Sequence, residues 1–438
     1  MNRLRIALLP LLLAIAAGVP ACNESRTRNS EAAALYRQGR YGPALEAAKK
    51  ALEAAEKAPE PDQADVAASL NNIATMYRAQ GQYTPVEPLV RRALAIHEKV
   101  RGPDHSDVAI SLNNLAALYH DQGRYAQAEP LFNRALAIRE KAFGPDHPEV
   151  AESLNDLAVL YAVQGRYAEA EPLYNRALAI REKTLGPDHP DVAQSLSNLG
   201  ELCKDQGWRS RAEQLYNRAL AIREKALGLD HPAVAESLNN LAEQNESQGQ
   251  YAHAEMLYHR SLAIWEKALG PDHPSVALSL RNIGELYCTQ GSYVEAELLY
   301  HRAMVIEEKA LGPDHPEMAI SLNNLAFLYK SQGRYAEAEP LYKRALAIWE
   351  KALGPDHRYV STALNNIGLL YYFDQGQYAR AEPFLKRSLT ILEKALGPDH
   401  PEMAQSLESL AALYQKTGRA KEADALMKRA EAIRAIKR

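Results

Sequence analysis

Eight histidines at a regular spacing are the residues of this sequence that most suggest chemistry, because histidine binds zinc and transfers protons near neutral pH. They recur every 42 residues, with one step of 43, at His105, His147, His189, His231, His273, His315, His357 and His400. Zinc ligands lie about 2.0–2.1 Å from the ion, whereas equivalent residues of stacked helical units lie about 8–10 Å apart. We therefore interpret the histidines as turn and helix-start residues, and we expect neither a metal site nor a bound cofactor.

The other residues with reactive side chains also lack a catalytic arrangement. Cys203 takes the place that other units give to a tyrosine, which predicts a small buried side chain, and Cys288 occupies a position that leans towards solvent. The two cysteines are two repeat units apart, which should exceed the roughly 7 Å that a disulfide tolerates between Cα atoms. Patterns for a Ser-His-Asp triad, a phosphate loop or a zinc protease do not occur. The sequence predicts a protein without catalytic activity.

The charge balance bears on the class of partner. The chain has 51 basic and 55 acidic residues and a net charge of −4, which argues against a nucleic-acid partner held on a wide basic face. Its 47% hydrophobic and 24% charged content is typical of a folded helical protein, not of a disordered chain.

Residues 1–22 have the composition of an export signal, with a basic start followed by an apolar stretch from Ile6 to Ala17. The end of this segment, Val19-Pro20-Ala21-Cys22, resembles a bacterial lipobox, whose cysteine would carry lipid. We expect export to the bacterial periplasm, either as a lipoprotein anchored to the membrane at Cys22 or as a free protein cleaved near Ala21. Residues 23–30 are predicted to be a polar tether.

Residues 31–438 repeat one unit about ten times, with starts near 31, 63, 105, 147, 189, 231, 273, 315, 357 and 400. Within the unit that starts at 105, apolar side chains fall at helical spacing in two stretches separated by Gly123. The first stretch contains Leu112, Leu115, Ala116 and Tyr119, and the second contains Ala128, Phe132 and Ala135. Asp146 is predicted to cap the next helix. Two helices cannot bury their own apolar faces, so the units should stack on one another.

This pattern resembles the tetratricopeptide repeat (TPR), and the 42-residue period and the Leu-Gly-Pro-Asp-His-Pro connector are most similar to the kinesin-light-chain type. The resemblance implies an all-α, right-handed superhelical solenoid of antiparallel helix pairs. It also implies a non-enzymatic scaffold that binds a protein or an extended peptide in a concave groove.

In such a groove, one column of polar residues should lie on the first helices of the units. The column is Asn72, Asn114, Asp156, Asn198, Asn240, Asn282, Asn324 and Asn366, followed by Ser409. A carboxamide both donates and accepts hydrogen bonds, so this column could hold the backbone of an extended peptide. Alternatively, the asparagines could bond neighbouring units together and only stabilise the stack.

A second column, three residues further along each helix, indicates the kind of peptide. Its middle is acidic at Glu201, Glu243 and Glu285, and the next two units have Phe327 and Leu369. Kinesin light chains are known for acidic, tryptophan-bearing cargo motifs, which this acidic groove would not suit. We expect a basic or neutral peptide with apolar ends.

Two alternative functions remain open from the sequence. Trp265 and Trp349 occupy a second-helix position that holds arginine in several other units, and we expect both to be partly exposed there. The chain could then be a structural component of an envelope assembly that packs through its convex surface. It could also be the regulatory subunit of an enzyme.

Overall fold

The computed structural model describes residues 23–58, 62–374 and 376–436, and within these ranges it contains twenty α-helices and no β-strand. The predicted all-α class is confirmed. The first helices of the ten pairs are α1 (Asn23–Arg37), α3 (Gln63–Ala79), α5 (Ser106–Asp121), α7 (Pro148–Val163), α9 (Pro190–Asp205), α11 (Pro232–Ser247), α13 (Pro274–Thr289), α15 (Pro316–Ser331), α17 (Arg358–Phe373) and α19 (Glu402–Lys416). The second helices are α2 (Tyr41–Lys57), α4 (Val86–Arg101), α6 (Tyr125–Phe143), α8 (Tyr167–Leu185), α10 (Arg209–Leu227), α12 (Tyr251–Leu269), α14 (Tyr293–Leu311), α16 (Tyr335–Leu353), α18 (Tyr378–Leu396) and α20 (Ala420–Ile436).

The described residues form two compact units. The amino-terminal unit comprises residues 23–279 with 308–312, and the carboxyl-terminal unit comprises residues 280–307 with 313–436. Within each unit consecutive helices pack together, and first helices also contact the first helix of the next pair, as α3 does with α5 and α17 with α19. None of the described helices is both long enough and apolar enough to cross a bilayer.

The core repeats with the sequence. Val108 and Leu112 of α5 pack with Ala135 and Ile138 of α6, and α7 with α8 and α9 with α10 form equivalent clusters. Gly123 separates α5 from α6 with a φ of 69°, a conformation that side chains with a Cβ rarely adopt. The helical periodicity and the glycine together therefore account for the hairpin shape of each unit.

The connector histidines bond to the first turns of the first helices, which confirms their interpretation as helix-start residues. In every case Nδ1 accepts the backbone N–H two residues further on, at 3.1–3.2 Å. The prediction that Asp146 is the cap was wrong. The N-cap of α7 is His147, and the Asp146 carboxylate instead accepts from Nζ of Lys183 at 2.5 Å.

Replacing His147 by alanine is expected to lower the free energy of unfolding by about 1 kcal/mol, because a backbone N–H in the first turn of α7 loses its acceptor. Hydrogen exchange should show the loss of protection at the start of α7. His253→Ala, at an exposed position of α12 that is not a cap, is the control. Equal effects of the two substitutions would contradict a capping role.

Residues 23–30 do not form the predicted polar tether. They belong to α1, in which Nδ2 of Asn29 donates to Oγ of Ser69 at 3.0 Å and Arg26 pairs with Asp65 at 3.2 Å. These contacts tie the segment to α3. Residues 1–22, and with them the predicted signal and Cys22, lie outside the described residues.

The tryptophans of the second helices are buried, contrary to the expectation of partial exposure. Trp265 and Trp349 are 3% and 0% exposed, and the indole N–H of Trp349 donates to the backbone oxygen of Pro316 at 3.2 Å. Trp208, at the start of α10, is 42% exposed. The buried tryptophans therefore hold the stack together and are not available to a partner on the convex surface.

Candidate functional site

The asparagine column lies on the first helices, as predicted, and several of its members bond neighbouring repeats to each other. In each of these bonds, Nδ2 of a column residue donates to Oδ1 of an asparagine on the preceding first helix. The pairs are Asn72 with Asn29 at 2.9 Å, Asn198 with Asn155 at 2.5 Å, and Asn366 with Asn323 at 2.8 Å. At these positions the column performs the stabilising role that the sequence left open as an alternative.

Asp156 shows the same geometry with a carboxylate. Nδ2 of Asn113 on the preceding first helix donates to its Oδ2 at 3.2 Å. Burial, reinforced by the charge of Glu152, raises the pKa of Asp156 well above its usual value. A buried carboxyl group whose ionised form is disfavoured contributes to packing and attracts a basic ligand only weakly.

Two residues of the asparagine column have amide N–H donors that find no acceptor among the described residues. The Nδ2 atoms of Asn114, in the amino-terminal unit, and of Asn282, in the carboxyl-terminal unit, are buried and have no acceptor among the described residues. Asn324 is also buried, and Asn240 is half-buried. Because a buried amide donor without an acceptor is costly, Asn114 and Asn282 would gain most from an added carbonyl oxygen, which their side chains must turn outwards to reach.

Two acidic residues of the second column, Glu201 and Glu243, both pair with Lys204, which the sequence analysis did not identify. Nζ of Lys204 lies 2.5 Å from a carboxylate oxygen of Glu201 and 3.3 Å from one of Glu243. Glu201 also accepts from the hydroxyl of Tyr216 at 2.8 Å and remains partly exposed, whereas Glu243 is buried. Lys204 follows Glu201 by three residues on the same helix face, which is the signal that could have revealed it. The local charge is therefore closer to neutral than the column alone suggested.

In the carboxyl-terminal unit, the predicted anchor residues Phe327 and Leu369 are half-buried, so each offers only part of its surface. Glu285 is buried. Nζ of Lys330 lies 4.8 Å from the ring centroid of Phe327, and burial lowers the pKa of this lysine. The apolar end of the column thus includes a cation in contact with an aromatic ring, which the sequence analysis did not predict.

Helices α13, α14 and α15 share a buried ion cluster in place of an arginine–serine hydrogen bond found in some other repeats. In three pairs an arginine of the second helix donates to a serine of the next first helix, as Arg139 does to Ser153 at 2.7 Å. In α14 the equivalent of Arg139 is Glu307, which instead accepts from Arg281 of α13 at 2.5 Å. Arg281, where most units have asparagine, also donates to Glu317 of α15 at 2.5 Å. Burial raises the pKa of Glu307 to about 7, and the shared arginine only partly offsets this. The cluster joins three helices and is not part of the groove columns.

A sequence model of the family described as "Tetratricopeptide repeat" matches nine overlapping segments that together extend from residue 23 to residue 435. The chain belongs to the tetratricopeptide repeat family. A comparison with curated proteins gave no match.

Several solved structures are similar to this TPR chain. A Podosopora anserina protein described as a kinesin light chain with nearly identical TPR-like repeats is 28% identical, over 47% of this chain and 97% of that one, with a TM-score of 0.40. BtubC (BKLC) from P. vanneervenii is 25% identical over 54% of this chain and 93% of that one, with a TM-score of 0.44. A Rap protein complexed with Competence and Sporulation Factor is 15% identical over 95% of this chain and 99% of that one, with a TM-score of 0.55. The Rap protein shares the fold of the TPR chain.

Cys203 and Cys288, the two cysteines among the described residues, are free thiols. Both are buried, which confirms the prediction for Cys203 and shows that the expected solvent-leaning position of Cys288 was wrong. Burial raises the pKa of the Cys288 thiol to about 11, so the nucleophilic thiolate is scarce at neutral pH. In the part of the chain that the structure describes, no three His, Cys, Asp or Glu side chains are grouped closely enough to hold a metal ion.

Proposed function

We propose that this TPR protein is a non-enzymatic scaffold that binds an extended polypeptide on the inward faces of its first helices. The observation that carries the proposal is a buried amide donor in each unit, Asn114 in the amino-terminal one and Asn282 in the carboxyl-terminal one, without an acceptor among the described residues. A peptide backbone supplies carbonyl oxygens at regular intervals, so it could satisfy such donors whatever its side chains are.

The side chains next to the asparagine column indicate the chemistry of the partner. Glu201 keeps part of its carboxylate exposed, and Lys204 compensates part of its charge. We therefore favour a neutral or weakly basic segment, since one exposed ion pair contributes only about 0.2–1 kcal/mol and acts mainly on selectivity. In the carboxyl-terminal unit, the exposed parts of Phe327 and Leu369 would contact apolar side chains of the ligand.

The Rap protein supports the proposal at the level of the fold. That protein was solved in a complex with Competence and Sporulation Factor, and its similarity extends over 95% of this chain. The fold is therefore compatible with a bound partner.

We expect alanine at Asn114 or Asn282 to weaken binding of a peptide about fivefold, because each substitution removes one hydrogen bond worth about 1 kcal/mol. The peptide would be selected on an array with the purified chain, and its affinity measured by fluorescence polarisation. Asn217→Ala, at an exposed position of α10, is the matched control and should bind like the wild type.

The outcomes separate the proposal from its alternatives. Unchanged affinity in both variants would place the peptide elsewhere. Absence of any binding peptide would favour a structural component that packs through its convex surface. An effect of the chain on the rate of a co-purifying enzyme would favour a regulatory subunit.

The proposed location is the bacterial cell envelope, with the chain exported and anchored by lipid at Cys22. The support is the basic and apolar sequence of residues 1–22 and its lipobox-like end. Palmitate labelling that disappears in Cys22→Ser would establish the anchor. Labelling absent from the wild type would leave the free exported form.

A further inference from the structure

The turn between α1 and α2 contacts the start of α13 within the amino-terminal unit. A Cβ atom placed on Gly39 would lie 2.6 Å from Nε2 of His273 and 3.3 Å from Cδ of Pro274, so the imidazole rests directly on the glycine. Five helix pairs, α3 to α12, lie between the two contacting segments. Repeats of a solenoid ordinarily contact only their neighbours. The pairs of this unit therefore curve round until its first hairpin turn meets the start of α13, and we call this the closing contact.

The closing contact depends on glycine at position 39. Gly39 is buried and has a φ of 69°. Gly207 and Gly249, at the same place in their own hairpin turns, have similar φ values of 78° and 76° but are exposed. A Cβ atom on either of these two glycines would meet no atom within 4 Å. A substitution at Gly39 or at Gly249 thus strains the backbone alike, and only the substitution at Gly39 also collides with another repeat.

Neighbouring pairs of the unit are joined by a cluster of tyrosine, glutamate and arginine. Glu87 of α4 accepts from the hydroxyl of Tyr119 of α5 at 2.8 Å and from Arg124, at the start of α6, at 3.2 Å. The guanidinium of Arg124 also lies 4.1 Å from the centroid of the Tyr119 ring. The same cluster joins α6 to α7 through Glu129, Tyr161 and Arg166. Each cluster resists rotation of one pair against the next, because its bonds run between helices of different pairs.

The junction of α8 with α9 lacks this cluster. The tyrosine is replaced by Cys203 and the arginine by Trp208. The remaining glutamate, Glu171, pairs instead with Arg211 of α10 at 2.8 Å, and the side chain of this arginine is 43% exposed. Because an exposed ion pair stabilises little, the junction is held less firmly than the two before it.

The next junction, of α10 with α11, lacks the cluster as well. Asn245 replaces the tyrosine and donates to a backbone oxygen of its own helix at 2.7 Å. Gln250 replaces the arginine, and Glu213 accepts from Gln248 at 3.3 Å. Gln244 takes a core position that holds leucine in most units, and its Oε1 is buried without a partner among the described residues. The polar substitutions therefore weaken both the bonds and the packing at this junction.

We propose that the amino-terminal unit opens at the closing contact by bending at two consecutive junctions, α8–α9 and α10–α11. Both junctions lie between the two sides of the contact, so a small rotation at either of them separates Gly39 from His273. Bending concentrates where the fewest bonds between pairs must break. The one other described junction from α2 to α11 without the cluster, α2–α3, is packed instead by Leu45 and Tyr77 in one apolar cluster.

Distances between two spin labels measure the opening of the unit. The labels are placed on cysteines introduced at the exposed Gln38 and Asp272, which flank the closing contact. Cys22 is replaced by serine, and the two other native cysteines are buried and should stay unlabelled. The distance distribution should contain a short population from the closed unit and a smaller, longer one from the open unit.

Two glycine substitutions test the closing contact. Gly39→Ala should make the longer population the larger one, because opening relieves the collision of the new side chain with His273. The matched control is Gly249→Ala, which carries the same backbone strain without a neighbouring atom and should leave the distribution unchanged.

Restoring the missing cluster tests where the unit bends. Cys203→Tyr with Trp208→Arg supplies the two missing partners of Glu171 and should lower the longer population about fivefold, because the restored bonds must break for the junction to bend. If circular dichroism shows that this variant misfolds, Asn245→Tyr with Gln250→Arg makes the same test at the next junction.

The outcomes distinguish the contact from the place of bending. A distribution that Gly39→Ala leaves unchanged would overturn the proposal. An equal response to Gly249→Ala would also overturn it, because backbone strain alone would then account for the change. A distribution that responds to Gly39→Ala but to neither restored cluster would overturn the two junctions as the place of bending. None of these results depends on peptide binding by the first helices.

Discussion

Replacing Arg281 by methionine is expected to lower the free energy of unfolding by about 3–5 kcal/mol. The guanidinium is buried and bonds to two carboxylates, Glu307 and Glu317, at 2.5 Å each. Without it, Glu307, which is also buried, must either keep an uncompensated charge or take up a proton. Urea unfolding followed by circular dichroism at pH 8, where Glu307 is more than half ionised in the native protein, measures the loss.

The repeat itself supplies a replacement for the ion cluster that compensates for the loss of Arg281. Most units have asparagine in place of Arg281, and several have arginine in place of Glu307. In the double variant Arg281→Asn with Glu307→Arg, the new arginine can donate to Ser321, as Arg139 does to Ser153. We expect this double variant to recover stability to within about 1 kcal/mol of the wild type, and Glu307→Arg alone to be the least stable. If the loss in the double variant equalled the sum of the losses in Arg281→Asn alone and Glu307→Arg alone, the two positions would not interact.

Replacing Trp349 by alanine is expected to cost about 3–5 kcal/mol of unfolding free energy, because a fully buried indole leaves a large cavity. The side chain also loses its hydrogen bond to the backbone of Pro316 and its contact with Tyr359, whose ring centroid is 5.5 Å away. Urea unfolding should show the lower free energy of unfolding, and hydrogen exchange should become faster in α15 to α17.

Trp208 provides the control for Trp349. It is 42% exposed at the start of α10, so Trp208→Ala should cost less than about 1 kcal/mol. If the two alanine variants lost equal stability, Trp349 would not be the packed residue that links α16 to its neighbours.

Local sequence features were sufficient to predict the repeat and its hairpins. The apolar spacing of Leu112, Leu115 and Tyr119 and the break at Gly123 depend only on residues within one unit. The cap of the next helix was harder to predict. Aspartate is the more common N-cap, but the position two residues before the receiving N–H belongs to His147 and not to Asp146.

The candidate site was only partly predictable, because its state depends on distances between units. Whether Nδ2 of Asn198 is free or bonded depends on Asn155, 43 residues earlier. Whether Glu243 is paired with a cation depends on Lys204, 39 residues earlier. Helical periodicity assigns a residue to a face of its own helix and does not give the distance to the next helix. The exposure of Trp265 was mispredicted for the same reason.

By itself, the sequence determined the all-helical class, the 42-residue unit, the turns and the family, because these follow from interactions among residues close together in the chain. The tertiary structure alone decided which carboxamides are already used between repeats, which carboxylates share a lysine, and which distant repeats meet, as Gly39 and His273 do. These properties depend on how closely neighbouring helices approach one another, and packing sets that distance between residues far apart in the chain.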